Sequence, residues 1–405
     1  MNSSSAVEFI FLGTGASGSV PHLSCLTPSE NDEEKPCRTC LSTIDGTPEG
    51  KMNFRRNTSA AVRIVDRDGV KRTIVIDVGK DFRGAALEWF PKHGMRRIDA
   101  ILLTHDHADA MNGLDDLRAW TQDGIIQTHI DVYLSEATFS VVKRAFPFLV
   151  SKEFATGGGD SMDYPHTRYI YQVAAFRWHI IDYGIPFEIL ETGITITPLA
   201  VQHGWLQPRS SNKPYLCFGF NIQDTVIYIS DGNHIPEETW ALLEHSLSTC
   251  SESQTDPTSS TLTTTTTKRK PYPVLVLDCL HLIPYTAHFG IVEAVNVARR
   301  MGALRTYVTD IGHYVGHDEW VAIGESLERV LSSEISEHEL GGEKGSMTEV
   351  VRRGLSMVRD ADREARNVLK GEAGERGPVW LRPAHDGLRL VVSKEVVLEG
   401  GTYGA

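Results

Sequence analysis

Short apolar runs closed by polar or glycine residues recur along the chain, and their length predicts strands rather than helices. They fall at residues 7–12, 60–65, 73–78, 98–104, 130–134, 194–200, 218–222, 225–230, 274–277 and 388–392. Helical spacing is present at 81–90, at 112–121, where Leu114, Leu117 and Trp120 recur on one face, and at 347–369. The pattern is therefore mixed α/β, with more strand than helix. Many runs end on a residue able to do chemistry, which is where rigid scaffolds present reactive groups.

The first run is followed by Gly13-Thr14-Gly15-Ala16-Ser17-Gly18, which invites a dinucleotide-binding reading. Ser19-Val20-Pro21 then stands where a helix should open, so that reading fails. Residues 246–270 are dominated by Ser and Thr and are too poor in apolar residues to pack, so they read as a disordered insertion. Residues 332–377 are highly charged and read as a second, partly helical insertion in a single domain spanning 1–405.

Composition narrows the classes. At 41% hydrophobic and 23% charged, 405 residues can bury a substantial core. A net charge of -13 disfavours a generic grip on nucleic acid, which needs clustered Lys and Arg. Residues 1–11 lack a secretory pattern, and no apolar run approaches the ~20 residues of a membrane span. The expected location is cytoplasmic, with the nucleus also open. Six cysteines, at 25, 37, 40, 217, 250 and 279, are too sparse for a disulfide scaffold and read as thiols or metal thiolates.

Thr104-His105-Asp106-His107-Ala108-Asp109 follows a buried run and puts two imidazoles and a carboxylate in one loop, the donor set of a hydrolytic metal site. A polar loop with solvated histidines is the plain alternative. Other apolar runs lead into further donors: Asp77 after 73–76, His203 after 196–202 and Asp231 after 226–230.

The order of these segments resembles the metallo-β-lactamase superfamily, an αββα four-layer sandwich with metals at the strand ends. Within it the chain looks like the PhnP-like cyclic phosphodiesterase branch, on Thr14-Gly15 with downstream cysteines, Asp278-Cys279 with His281, and His288. The resemblance implies that His105, His107 and His203 hold a first metal, that Asp109 belongs to a second, and that Asp231 bridges both. Asp77 would orient the loop. Two departures stand out: the branch's histidine after the Asp is here Ala110, and a late histidine ligand falls at Asp310, or at Gly312 or His313 if the alignment shifts. The active site would hold one or two ions, zinc or manganese.

Cys25, Cys37 and Cys40 form a second constellation, in which Cys37-Arg38-Thr39-Cys40 has the short bite of a tetrahedral zinc site. By resemblance to the branch, His313, or else His317, would be the fourth ligand. His288 matches the position that assists a leaving oxygen, while His281 and His385 would fix ligand tautomers. The implied function is a phosphodiesterase using metal-bound hydroxide on a small phosphodiester, with Asp109, Asp231 and His288 catalytic. A thioester or ester hydrolase and a non-catalytic zinc-binding interaction protein are the rivals.

Overall fold

The computed structural model describes residues 6–29, 37–151, 174–206, 213–249, 271–332, 348–368 and 378–400. Among the described residues, fifteen strands form two mixed sheets. The first contains β1 (Val7–Gly13), β2 (Ser59–Val65), β3 (Lys71–Ile76), β4 (Ala100–Leu102), β5 (Ile130–Leu134), β6 (Phe176–Ile180), β14 (Arg389–Val392) and β15 (Val397–Gly400). Its order is β15-β14-β1-β2-β3-β4-β5-β6. The second contains β7 (Phe187–Glu188), β8 (Thr195–Trp205), β9 (Pro214–Ile222), β10 (Val226–Ile229), β11 (Val274–Asp278), β12 (Arg305–Thr309) and β13 (Leu381–Pro383), in the order β13-β12-β11-β10-β9-β8-β7. The chain divides into two compact units, principally residues 6–194 with a C-terminal return at 385–391, and residues 195–384.

Each unit follows the same plan. In the first, β1, β2 and β3 pair antiparallel, and β3 to β6 pair parallel. In the second, β8, β9 and β10 pair antiparallel, and β10 to β13 pair parallel. Parallel pairing needs long crossovers, usually helical. They are supplied by α1 (Phe82–Lys92) and α2 (Glu136–Ala145) in the first unit, and by α3 (Glu237–Thr249), α4 (Ile291–Met301), α5 (His317–Ser332) and α6 (Glu349–Val368) in the second.

The helices bury one face of each sheet. Ile10, Leu12 and Val75 pack with Phe82, Trp89 and Trp120 in the first unit. Phe9 and Phe11, which alternate with Ile10 along β1, are buried as well, so β1 is apolar on both faces. In the second unit Ile227, Leu275 and Val308 pack with Val295 of α4, Trp320 of α5 and Leu355 of α6. The helix expected at 347–369 is thus α6, and its apolar side belongs to a core rather than to a surface excursion. The remainder of the charged segment, and 250–270 of the Ser/Thr-rich one, lie outside the described residues; Ser246 to Thr249 end α3. Among the described residues no helix is long and apolar enough to cross a membrane.

One buried carboxylate links four strands of the first sheet. Glu8 of β1 pairs with Arg63 of β2 at 3.1 Å, Lys71 of β3 at 3.0 Å and Arg389 of β14. Strand extents differ from expectation in two instructive places. The run at 98–104 is strand only over Ala100–Leu102, and the run ending at 200 extends through His203 to Trp205. The pairing of β8 with β9 shifts register between Gln202 and Trp205, and Gly204 there has φ +80°. His203 therefore sits at an irregularity in the ladder, a device that re-aims a side chain.

Candidate metal centre

The parallel strands end on polar residues in both units: Asp77 after β3, the His105 loop after β4, Asp231 after β10, Asp278 closing β11 and Asp310 after β12. Ligand sites in open α/β sheets form at these carboxyl ends.

In the first unit, Asp77 is buried at φ +59° and turns its carboxylate onto Thr104. It accepts the Thr104 backbone N–H at 2.8 Å and the Thr104 hydroxyl at 2.8 Å. Because that hydroxyl proton goes to a carboxylate, the Thr104 oxygen accepts from His105 Nδ1, 2.8 Å away. Nδ1 then carries the ring proton, and buried His105 keeps Nε2 as its ligand-capable nitrogen. The His105 and His107 rings stand 4.5 Å apart.

A one-turn helix, Ala108–Met111, starts directly after His107. It is laced to the end of β3: Val78 N–H donates to Ala110 O at 2.7 Å and Gly113 N–H to Val78 O at 2.8 Å. Gly79 passes so close that a Cβ there would lie 1.8 Å from Asp109 O. Instead of one helix over 112–121 there are short turns at 108–111, 114–117 and 118–121. Gly113 explains the break, since a Cβ on it would lie 2.4 Å from Gly79 O. Ala110, where the branch has a histidine, is buried.

In the second unit, His203 Nδ1 lies 2.9 Å from Ala287 O. A carbonyl can only accept, so Nδ1 is protonated and Nε2 is again the ligand-capable atom. That Nε2 is 4.0 Å from Asp231 Oδ1, too long for a hydrogen bond and compatible with a cation between two donors at ~2.0–2.2 Å each. One donor atom from each of His203, Asp231 and His288 falls within 4.8 Å of the others, and the same holds for Asp278, His288 and Asp310. The donor types and spacing of His203 and Asp231 fit a divalent metal.

His288 is held from behind. Asp278 Oδ2 is 3.0 Å from His288 Nδ1 and also accepts Gly232 N–H at 2.8 Å. Asp310 Oδ2 is 2.9 Å from the same Nδ1. Burial opposes a charge on His288, but Asp278 and then Asp310 outweigh it, and the imidazolium is pushed up to about 12. Burial also pushes the Asp278 carboxyl up to about 6, and Asp310 well above the usual carboxylate range.

The cysteine cluster also assembles. The Sγ atoms of Cys25, Cys37 and Cys40 lie within 4.8 Å of one another. Backbone N–H groups are aimed at two sulfurs, His22 N at Cys40 Sγ (3.3 Å) and Cys40 N at Cys37 Sγ (3.5 Å). Burial raises the Cys25 thiol and pushes Cys40 up to about 12. Thiols raised in this way, as Cys25 and Cys40 are, ionise when a cation shares them, as a structural zinc does.

Of the remaining expected residues, His281 lies between the Tyr285 and Tyr314 rings, 6.4 and 5.1 Å away. The His313 ring lies 4.3 Å from that of Tyr314, tilted by 42°, and His317 begins α5. His385 Nδ1 contacts Asp386 O at 3.1 Å within its own turn. Sequence reasoning did not anticipate Thr104 or the Ala287 carbonyl as tautomer-setting partners. A hydroxyl next to a ligand histidine is a readable signal, whereas a backbone carbonyl 84 positions away is not.

Residues 72–311 match the β-lactamase superfamily domain, more than half of the chain. The chain belongs to that superfamily. Its two helix-flanked mixed sheets are those of the superfamily's αββα fold, and with these donor clusters it is a metal-dependent hydrolase. In fold it resembles a diphosphatase from the PhnP family, at 21% identity and TM-score 0.56, covering 97% of this chain and 98% of that one. It is also similar to the metallo-β-lactamase fold protein YhfI from Bacillus subtilis, at 13% identity and TM-score 0.48, covering 98% and 100% of the two chains. An octanoyltransferase from Porphyromonas gingivalis is 29% identical over 199 residues, 49% of this chain. The match spans only 31% of that longer protein.

Proposed function

We propose that this superfamily member hydrolyses P–O bonds in small phosphodiesters, as members of the PhnP-like branch do. The observation that carries the reading is His288, an imidazole pinned at Nδ1 by Asp278 beside the His203–Asp231 pair. An alkoxide leaving from phosphorus needs a proton, while a thiolate leaving from a thioester scarcely does. An imidazole fixed at Nδ1 presents Nε2–H for that task.

The proposed ligand set is His105, His107 and His203 for one ion, Asp109 for a second, and Asp231 shared between them. When bound, zinc or manganese supplies Lewis acidity toward phosphoryl oxygens and acidifies a coordinated water. Asp77, through Thr104, holds His105 in the ligand tautomer, and Ala287 O does so for His203. His288 Nε2 gives its proton to the departing oxygen as the P–O bond breaks. Cys25, Cys37, Cys40 and His313 are proposed to hold a separate structural zinc.

A panel of a dialkyl-type diester, an aryl diester, a 2′,3′-cyclic nucleotide, a diphosphate and a thioester tests this on metal-replete protein. The diphosphate is included because the PhnP-family neighbour is described as a diphosphatase. Diester turnover should exceed thioester turnover, be abolished in His203→Ala and fall roughly 10²- to 10⁴-fold in His288→Ala. Wild-type diester turnover in His203→Ala, or a clear preference for the thioester, would contradict the proposal.

A further inference from the structure

We infer that Asp310 is a positioning residue that, with Asp278, clamps the back of the His288 ring, and that it is not the metal ligand its place in the sequence suggests. The inference deepens the proposed P–O hydrolysis and rests on it for the identity of the proton donor.

The geometry is specific. Asp310 follows β12 at φ +59°, a conformation few non-glycine residues adopt, and it is 2% exposed. The turn in the backbone delivers its Oδ2 to 2.9 Å from His288 Nδ1. Asp278, reaching the same nitrogen from β11, is itself fixed by Gly232 N–H. A single Nδ1–H aligns with one acceptor at a time. Asp278 takes the hydrogen bond, and Asp310 closes on the same nitrogen from a second direction.

The main chain of His288 is equally constrained. His288 N–H donates to Tyr285 O at 2.9 Å, and Tyr285 N–H donates to His288 O at 3.3 Å. With the backbone anchored by this turn and Nδ1 flanked by two carboxyls, the ring has one orientation. Nε2 lies on the opposite edge. The His203 ring is 4.9 Å from the His288 ring and at 79° to it, so the clamp sets where Nε2 stands relative to the ligand-bearing strand β8.

An Asp310 Oδ2 that ligated a metal would have to surrender its 2.9 Å contact with His288 Nδ1. The ring would then be held at Nδ1 by Asp278 alone. Where the branch's late histidine ligand aligns with Asp310, the role changes from ligand to support.

The test uses the full chain and Asp310→Asn, Asp278→Asn, His288→Ala and the Asp310→Asn/His288→Ala double variant. Metal per chain is measured by elemental mass spectrometry. Turnover is compared between a p-nitrophenyl diester, whose leaving group needs no proton, and an alkyl diester, whose leaving group does. Asp310→Asn should keep the full metal complement and leave KM unchanged. Its kcat should fall ~10- to 100-fold on the alkyl diester and only a few-fold on the nitrophenyl diester. The double variant should be no slower than His288→Ala.

A separate reading needs no turnover. In ¹⁵N-histidine NMR of the metal-free protein, His288 should show a strongly hydrogen-bonded Nδ1 proton that shifts upfield in Asp310→Asn. Loss of a metal equivalent from Asp310→Asn with equal losses on both diesters would overturn the inference, as would a wild-type spectrum lacking that proton. If wild-type protein turned over no diester, the proposed function would fail, and the NMR reading would still decide the clamp.

Discussion

Thr14 donates its hydroxyl to Asp386 Oδ1 at 2.9 Å, joining residues 372 positions apart in the first unit. Asp386 also accepts the Arg56 backbone N–H at 3.0 Å and faces the Arg56 guanidinium at 3.5 Å. The glycine-rich turn after β1 is thus fastened to the C-terminal return of the chain. Asp386→Ala leaves the Thr14 hydroxyl and the Arg56 N–H without their acceptor, while the Arg56 guanidinium keeps Glu88, and should cost about 1–3 kcal/mol in urea unfolding.

Burial pushes Asp386 up to about 7, against 3.8 when unfolded. A carboxyl raised in the folded state contributes stability that is complete below its unfolded value and is lost as pH rises through the folded value. Asp386→Asn cannot titrate. The stability of the wild-type chain relative to this variant should therefore fall between pH 4 and pH 7 and level off above. A difference that grows with pH over that window would show the opposite shift.

Asp77→Asn should release the His105 loop without unfolding the unit, since asparagine tolerates φ +59°. It places an amide donor against one of the two Thr104 donors. Metal affinity, measured by competition with a chelator, should fall about 10- to 100-fold. Unchanged affinity would mean that Thr104 holds His105 unaided.

Gly79→Ala is a steric test of the same loop. The added Cβ would meet Asp109 O at 1.8 Å, so the turn at 108–111 must move. Destabilisation of at least about 1–3 kcal/mol and loss of active-site metal are expected. Thermal unfolding and metal analysis read both.

Much of this architecture was legible in the apolar runs. Residues 130–134 form β5 as expected, and the starts of β1 and β11 fall where the pattern puts them. Strands carrying polar residues were harder. β6 contains Arg177 and His179, and β12 reads Arg-Thr-Tyr-Val-Thr, so neither forms an apolar run. The expected helix at 112–121 broke because Gly113 is needed for a close backbone approach, which periodicity does not record. The donor residues were visible from their places after strands. The relationship of Asp310 to His288 was not, because it depends on a left-handed residue bringing together groups from two strand ends.

Cys37→Ser and Cys40→Ser should each remove one tightly bound zinc and destabilise the helices Leu23–Leu26 and Arg38–Ser42, which are only four and five residues long. Hydrogen exchange of that segment with and without chelator would report it. Protection indifferent to both would separate the cysteines from any metal role.

The most direct test of the metal-dependent reading is the metal content of chelator-free, untagged protein, wild type against His203→Ala, alongside diester turnover. The account predicts one tightly held zinc in both, plus one or two exchangeable ions in the wild type that disappear with activity in His203→Ala. A single zinc in both proteins, with no ion lost at His203→Ala, would contradict it.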